Sequence, residues 1–559
     1  MSFIRCKKRS KKLAGLKILL YLCVKINMKG HYKNLTTFEK DFIFNIYTQE
    51  GLSHNEKIDI LSKKFEVTGR SIRTWANRLG IKSKLDNTLS PQLQDALLRE
   101  VDSDTDILLI TSAQNKTSIN FDFLKSLENY KDYWADLGYK AQIVVIPIKY
   151  RNPTSLREDI KGRADDWWMD EINPYLYYSK IEFGDTLISA DSRIVPTASN
   201  PLNGYESLAA ENHLIIGHPR IHLKPLPRFK GQKLRIMSTT GCCTLKKYSK
   251  SKAGDKAYIH HSYGFVVLEK KNPEICYPPR SVKVESDGSF SDLNIKVTKD
   301  SVTVINSSAG IVYGDIHLEN LDDRKMKKTQ QLLDLLKPKE VIFHDIYDGS
   351  RLNPHEKQDL FIRKQKIIEG KYKISGEVDD VIDFLKEFQN KNEFLKIRVI
   401  QSNHDNFLDR HVCSEDWRKD LHNSEDYLKY ALIQQTIDLR NYGNIIGYLI
   451  NDAGFTYIKN NESHFINKYQ VGQHGNYGVN GAKGAIVSFK RLNHKMIIAD
   501  KHTPCIEDGL TVVGVSCYLW QYYNSNGLSS WAHADSIIHD SGKNQLIIYD
   551  EDYEISNLI

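Results

Sequence analysis

The sequence predicts an α/β protein fronted by a small helical unit, on three observations. Residues 37–84 carry three short helical patterns, residues 107–150 read as strand, helix, strand, and after residue 300 apolar strand-like runs end repeatedly in Asp, Asn or His. Apolar residues recur every three to four positions on a half-buried helix and every two on a half-buried strand, which separates the two element types. At 559 residues the chain is long enough for roughly three or four compact units. Its 40% hydrophobic and 26% charged residues suit a water-soluble globular chain and exclude wholesale disorder.

Residues 1–33 form a basic extension with ten Lys or Arg and no acid, so a total of +8 leaves −2 for the remainder. A body so close to neutrality does not attract polyanions by its overall field; nucleic-acid binding must come from local basic patches. Within the extension, Lys17 and Lys25 bracket only the seven apolar residues ILLYLCV. A membrane-spanning helix needs about 20, so no integral span is expected. No small-residue cleavage site follows, and the residues before Met28 read as a dispensable extension or a misassigned start.

Residues 34–85 resemble the helix-turn-helix class: TFEKDFIFNIYTQEG, SHNEKIDILSKKF, a turn at Thr68 and Gly69, then a third helix. Ile72, Trp75 and Leu79 fall on one face of that helix and predict its buried side. Arg70, Arg73, Asn77 and Arg78 are left outward as candidate DNA-binding residues. Residues 86–150 read as a linker and a small α/β unit with a helix near Phe121 to Leu137. Residues 151–300 read as a β-rich middle region without a catalytic constellation, and residues 301–559 as the catalytic domain. The eight cysteines show no zinc spacing and fit a reducing cytoplasm, with the adjacent Cys242 and Cys243 read as idle thiols.

Five segments concentrate the chemistry: GDIH with Asp315 and His317, HDIYDGSR with Asp345 and Asp348, SNHD with Asn403 and His404, GQHG with His474, and ADKHTP with Asp500 and His502. Parallel strands deliver their following loops to one sheet edge, so donors remote in sequence can converge there. Carboxylate oxygens, an amide oxygen and imidazoles suit manganese, iron or zinc rather than a thiolate site. Glycines at 475, 478, 481 and 484 either let the backbone pass close to a phosphate or form a flexible turn between strands; Lys483 and Arg351 are candidate phosphate-binding residues, with a surface salt bridge the equal alternative for Arg351.

The ordered series D-x-H, D-x-x-D, N-H-D, a lone His and a final x-x-H resembles the calcineurin-like metallophosphoesterase superfamily over roughly residues 305–510. DIYDGSR is most similar to the version in its SbcD-type nuclease branch. The resemblance implies a four-layer β-sandwich flanked by helices and two divalent ions, Mn2+ above all. It implies that Asp315, His317 and His502 hold the first ion, Asp345 bridges, and Asn403, His474 and Asp500 complete the second. His404 then protonates the departing oxygen, Asp348 orients His404, and the nucleophile is a hydroxide rather than a serine or cysteine. Two positions depart from the pattern: His344 replaces the usual Gly before the bridging Asp, and Ala499-Asp500 replaces a Gly-His. The second change retains a ligand and adds negative charge, favouring a harder ion.

The whole-chain layout also resembles the large DNA-transfer proteins that tailed phages make early in infection. That likeness implies a DNA nuclease in the host bacterial cytoplasm, acting in host-DNA breakdown and viral DNA transfer, with DNA and another early phage protein as partners and a homo-oligomer as its assembly. A phosphomonoesterase or protein or nucleotide phosphatase, and a DNA-binding scaffold with a degenerate metal site, are the alternative readings.

Overall fold

Thr36 and Glu39 open the first helix, Thr37–Thr48, as a reciprocal capping pair: Glu39 N donates to Thr36 Oγ1, and Glu39 Oε2 accepts from Thr36 N. The computed structural model describes residues 35–558 apart from 49–53, 66, 68–70, 73–74, 77–78, 80–89, 151–165, 353–358, 493 and 522–523. The chain divides into two compact units, Met1–Leu89 and Ser90–Ile559.

In the first unit, Thr37–Thr48 and His54–Phe65 are helices, and Ser71, Ile72, Trp75 and Ala76 are helical. Ile43, Leu61, Phe65, Ile72 and Trp75 form one core, with Leu79 packed against it, so the expected apolar face is buried. Phe65 and Trp75 meet edge to face at 5.6 Å. The four expected DNA-binding residues, Arg70, Arg73, Asn77 and Arg78, lie outside the described residues, as does the basic extension 1–33.

The second unit is mixed α/β and holds several mixed sheets. Strands Ile107–Gln114 and Ala141–Ile148 pair in parallel across the helix Phe121–Asp136, as the strand-helix-strand pattern predicts. Asn120 caps that helix by accepting from Phe123 N, and Phe123, Leu127, Tyr130 and Trp134 bury its apolar face. Gly264–Glu269 and Arg280–Lys283 extend the same sheet.

Residues 151–300 are not a separate layer. Their strands between Lys180 and Thr239 continue a ten-stranded sheet with strands between Phe465 and Val512, joined where Leu223 pairs with Ile506 and His222 with Glu507. The boundary expected at residue 300 therefore runs through one compact unit. Pairing between strands so distant in the chain leaves no local pattern to read.

A six-stranded sheet orders Thr456–Ile458, Lys396–Ile400, Glu340–His344, Gly310–Val312, Ala534–Ile538 and Asn544–Ile548, the first four parallel. Ile311, Val341, Phe343, Ile397 and Val399 share a core with the helices Asp323–Leu336 and Ile374–Lys391. Val312, Ile342 and Ile400 share another with Leu223, Ile236, Ile497 and Ile506 of the ten-stranded sheet. The period of two thus serves two cores, one on each face. Because the four strands run the same way, their carboxyl ends share one edge, where Asp315, Asp345 and Asn403 emerge.

Candidate metal centre

Main-chain bonds stitch the segments together before any side chain is considered. Ile316 N donates to His344 O at 3.0 Å, His317 N to Asp345 O at 2.7 Å, Asp315 N to Gly514 O at 3.0 Å and Ala499 N to His474 O at 2.7 Å. Asp500 N donates to the Asp315 carboxylate at 3.0 Å, tying the edge of one sheet to the other. A β-carbon on Gly314 would lie 2.7 Å from the Gly514 carbonyl carbon, so only glycine permits the crossing that presents Asp315.

Asp315, His317, Asp345 and His502 each present a ligand atom within 4.8 Å of the others, a group that could hold a metal ion. His317 Nε2 lies 3.2 Å from His502 Nε2, and His502 Nε2 lies 3.3 Å from Asp315. His474 adjoins this group: Nε2 is 3.2 Å from Asp345 and 3.7 Å from Asp500, and Nδ1 is 3.8 Å from Asp315. Asn403 follows the neighbouring strand with its Oδ1 buried.

Five of the atoms at this place are unsatisfied within the protein. Asp315 Oδ1, Asp345 Oδ1, Asn403 Oδ1 and both His474 ring nitrogens are buried without a hydrogen-bond partner; His474 is near enough to Asp345 for charge attraction but is not aligned for a bond. Each such atom costs about 1–3 kcal/mol. Buried carboxylate, amide and imidazole atoms that converge without hydrogen-bond partners fit a cation, and the residues present fit one by that test. Backbone strain marks the same place: His317, Asp345, Asp500 and His502 all have φ between 45° and 67°. Left-handed conformations cost non-glycine residues about 1–3 kcal/mol each and collect at functional sites.

Charge is divided sharply across the cluster. Burial pushes Asp315 up to about 7, whereas the adjacent His474 and His404 overcome burial at Asp345 and hold it well below the usual carboxylate range. Burial alone would depress His317 and His474, but Asp348 raises the first to about 10 and Asp345 the second to about 9.

Several expected roles change. Asp348 meets His404 chiefly through its main-chain carbonyl, 2.6 Å from His404 Nδ1, while its carboxylate accepts from His317 Nδ1 at 2.7 Å and lies 3.9 Å from His404 Nδ1; His317, Asp348 and His404 form a second group that could hold a metal ion. Arg351 is not free for a phosphate. Its guanidinium donates to Glu319, Asp380 and the Lys373 carbonyl, with 6% of the side chain exposed. Lys483 is exposed on its loop, and the lysine that reaches the cluster is Lys501, whose Nζ donates to Asp500 at 2.5 Å and to Gly484 O at 2.8 Å. The glycines serve the loop itself: a β-carbon on Gly484 would meet Gly475 O at 1.8 Å, and one on Gly475 would meet Ala499 O at 2.9 Å. Cys242 and Cys243 are buried and burial pushes both thiols up, as expected of idle residues.

Other contributors carry no sequence signal that separates them from ordinary core residues. His344 is not merely a backbone adjustment, since its ring stacks on His474 at 5.5 Å and burial depresses it well below the usual histidine range. Asp405 fixes the SNHD turn by accepting from Ser402 N and Tyr457 OH. Beneath Gly314 lies a fully buried ion pair in which Lys325 Nζ donates to Asp535 at 2.7 Å and to Ser516 Oγ at 2.7 Å. Asp535 accepts from Gly314 N, and Ser516 Oγ donates to Gly314 O, so the pair and Ser516 together hold both main-chain polar groups of the residue that precedes Asp315. Replacing Lys325 with methionine strands a buried carboxylate and is expected to cost about 3–5 kcal/mol in denaturant unfolding. An unchanged midpoint would remove the pair from the frame of the site.

Over 465 residues the chain is 29% identical to Protein A1 of Escherichia phage T5, the match covering 78% of this chain and 81% of that protein. No protein-family profile and no solved structure matches it. Among the described residues no helix is long and apolar enough to cross a membrane.

Proposed function

We propose that the protein is a two-metal phosphodiesterase that hydrolyses DNA, built on the calcineurin-like metallophosphoesterase fold in its SbcD-type form. The observation that carries this reading is the convergence of Asp315, His317, Asp345 and His502, with His474 and Asp500 adjoining, around buried donor atoms that nothing in the chain satisfies. In this reading Asp315, His317 and His502 hold one ion, Asp345 is shared, and Asn403, His474 and Asp500 hold the other. The oxygen-rich donor set suits manganese. When bound, the ions supply the positive charge that stabilises the attacking and leaving oxygens of in-line displacement at phosphorus.

The chain's own groups do the rest. Asp348 fixes His317 Nδ1 and so turns Nε2 into the cluster, as a carboxylate behind a ligating imidazole does. The Asp348 carbonyl accepts the bond from His404 Nδ1–H, so that in the imidazolium form Nε2, on a side chain 25% exposed, carries the proton that would pass to the departing oxygen and leave the ring neutral. The DIYDGSR motif and a helix-turn-helix reading of the N-terminal unit favour DNA as substrate. Likeness to a phage protein supports placing the reaction in an infected bacterium. Manganese-dependent release from linear duplex DNA, compared with release from p-nitrophenyl phosphate, tests the reading. Hydrolysis of the monoester alone would make the protein a phosphatase, and DNA binding without hydrolysis of either would make it a scaffold.

A second reading, in which one metal position fills firmly and the other weakly, is favoured by Lys501, which neutralises Asp500 at 2.5 Å. Lys501→Ala is expected to tighten the weaker step of a manganese titration several-fold, because an ammonium no longer competes for the carboxylate. No change in either step would show that Asp500 is not a ligand.

A further inference from the structure

Among the described residues, several cations with side chains almost wholly shielded from solvent meet carboxylates: Arg220 meets Asp508, Arg280 meets Glu269 and Asp292, Lys325 meets Asp535, and Arg351 meets Glu319. Lys283, half-buried at the end of the strand Arg280–Lys283, does not. Its Nζ donates to the Asn544 amide oxygen, and among the described residues no carboxylate lies within ion-pair distance of it. Asn544 is itself fixed by donating to Thr511 Oγ1 at 2.9 Å and Ser536 Oγ at 3.1 Å.

Further lysines crowd the same place. The Tyr469 ring has Lys283 Nζ at 5.8 Å and Lys495 Nζ at 5.7 Å. Lys543, beside Asn544, lies 3.4 Å from Glu285. Burial and repulsion from Lys495 and Lys543 push Lys283 down to about 7; Lys468 repels Lys495, and Lys543 repels Lys246. Lys246 begins a run, KKYSKSKAGDK, with five lysines and one acid. Like charges gathered this way destabilise a fold unless an anion relieves them, and charges spread along several strand ends and a loop match an extended polyanion better than a single small ion.

We infer that Lys283, Lys495 and Lys543, with Lys246 and Lys468 beside them, form a second contact for the DNA backbone where strands of three sheets begin or end, at the opposite end of the strand Lys495–Ile498 from the metal centre. The inference rests on the reading of the protein as a DNA phosphodiesterase. Lys495 opens the strand Lys495–Ile498, whose far end leads to Asp500 and His502. Five residues at roughly 3.3 Å each separate Lys495 from Asp500 by about 16 Å along the strand. That is about five base pairs of duplex at 3.4 Å per step.

The test uses the full chain in EDTA, so that binding is read without hydrolysis, with a labelled duplex longer than two helical turns titrated over a range of KCl. Lys283→Gln, Lys495→Gln and Lys543→Gln combined should weaken binding by about tenfold or more and reduce the salt slope by about 2 to 3, at roughly 0.9 for each phosphate no longer neutralised. An unchanged slope overturns the inference. Lys283→Met alone is expected to bind more weakly yet melt no lower, because an unpaired, half-buried cation has been replaced by an apolar chain of similar volume. Lower melting with unchanged affinity makes Lys283 structural and overturns it too. So does sedimentation of the parent protein with phosphatidylserine vesicles without duplex binding, which would assign the lysines to a lipid surface. Lysine-dependent duplex binding in a protein that releases nothing from DNA with manganese would instead sink the hydrolase reading and leave this contact standing.

Discussion

Asp345→Ala is expected to lose both bound metal and hydrolytic activity, the latter to background. Asp345 stands between the two halves of the cluster, with one oxygen 3.2 Å from His474 and 3.7 Å from His317 and the other buried without a partner. It is also a carboxylate held firmly in its ionised form, the form a cation requires. In the proposed two-ion arrangement its removal deletes the shared ligand, and it leaves His317 and His474 without the carboxylate that lies between them. Metal content after dialysis against buffer, measured beside the rate of duplex cleavage, reads both effects. Near-normal metal retention would show that Asp345 does not bridge, and the two-ion arrangement would have to be abandoned.

His404→Ala is expected to do the opposite with respect to metal. Its ring is bonded through Nδ1 to a main-chain carbonyl, not to one of the donor carboxylates, so its loss removes a proton donor and leaves the principal ligands in place. Loss of a general acid costs about 10²- to 10⁴-fold in rate. The loss should shrink for a phosphodiester whose leaving group is a nitrophenolate, which departs without a proton. Equal loss on both substrates, or loss of metal comparable to Asp345→Ala, would contradict the assigned role.

Legibility in the sequence followed the range of the interaction. The helix Phe121–Asp136 and its flanking strands were readable because their periods are local. So were the buried faces of Ile72 and Trp75 in the first unit. The positions of Asp315, Asp345 and Asn403 at strand ends were readable for the same reason, since each follows an apolar run directly. The sheet shared by residues 180–239 and 465–512 was not, because Leu223 and Ile506 are brought together by the crossing of distant strands. Arg351 shows the limit for single residues: next to a metal motif its sequence position leaves a phosphate contact and a salt bridge equally open, and it is Glu319 and Asp380, approaching from elsewhere, that consume its donors.

By itself the sequence determined which oxygen and nitrogen atoms are available and their order along the chain, because these follow from residue type and strand-end position. Only the tertiary structure decided which atom meets which: the Asp348 carbonyl on His404, its carboxylate on His317, Lys501 on Asp500, and the lysines around Tyr469. Donor chemistry is carried by each side chain wherever it lies, whereas a hydrogen bond or ion pair exists only when packing brings two remote atoms within about 3 Å at the right angle.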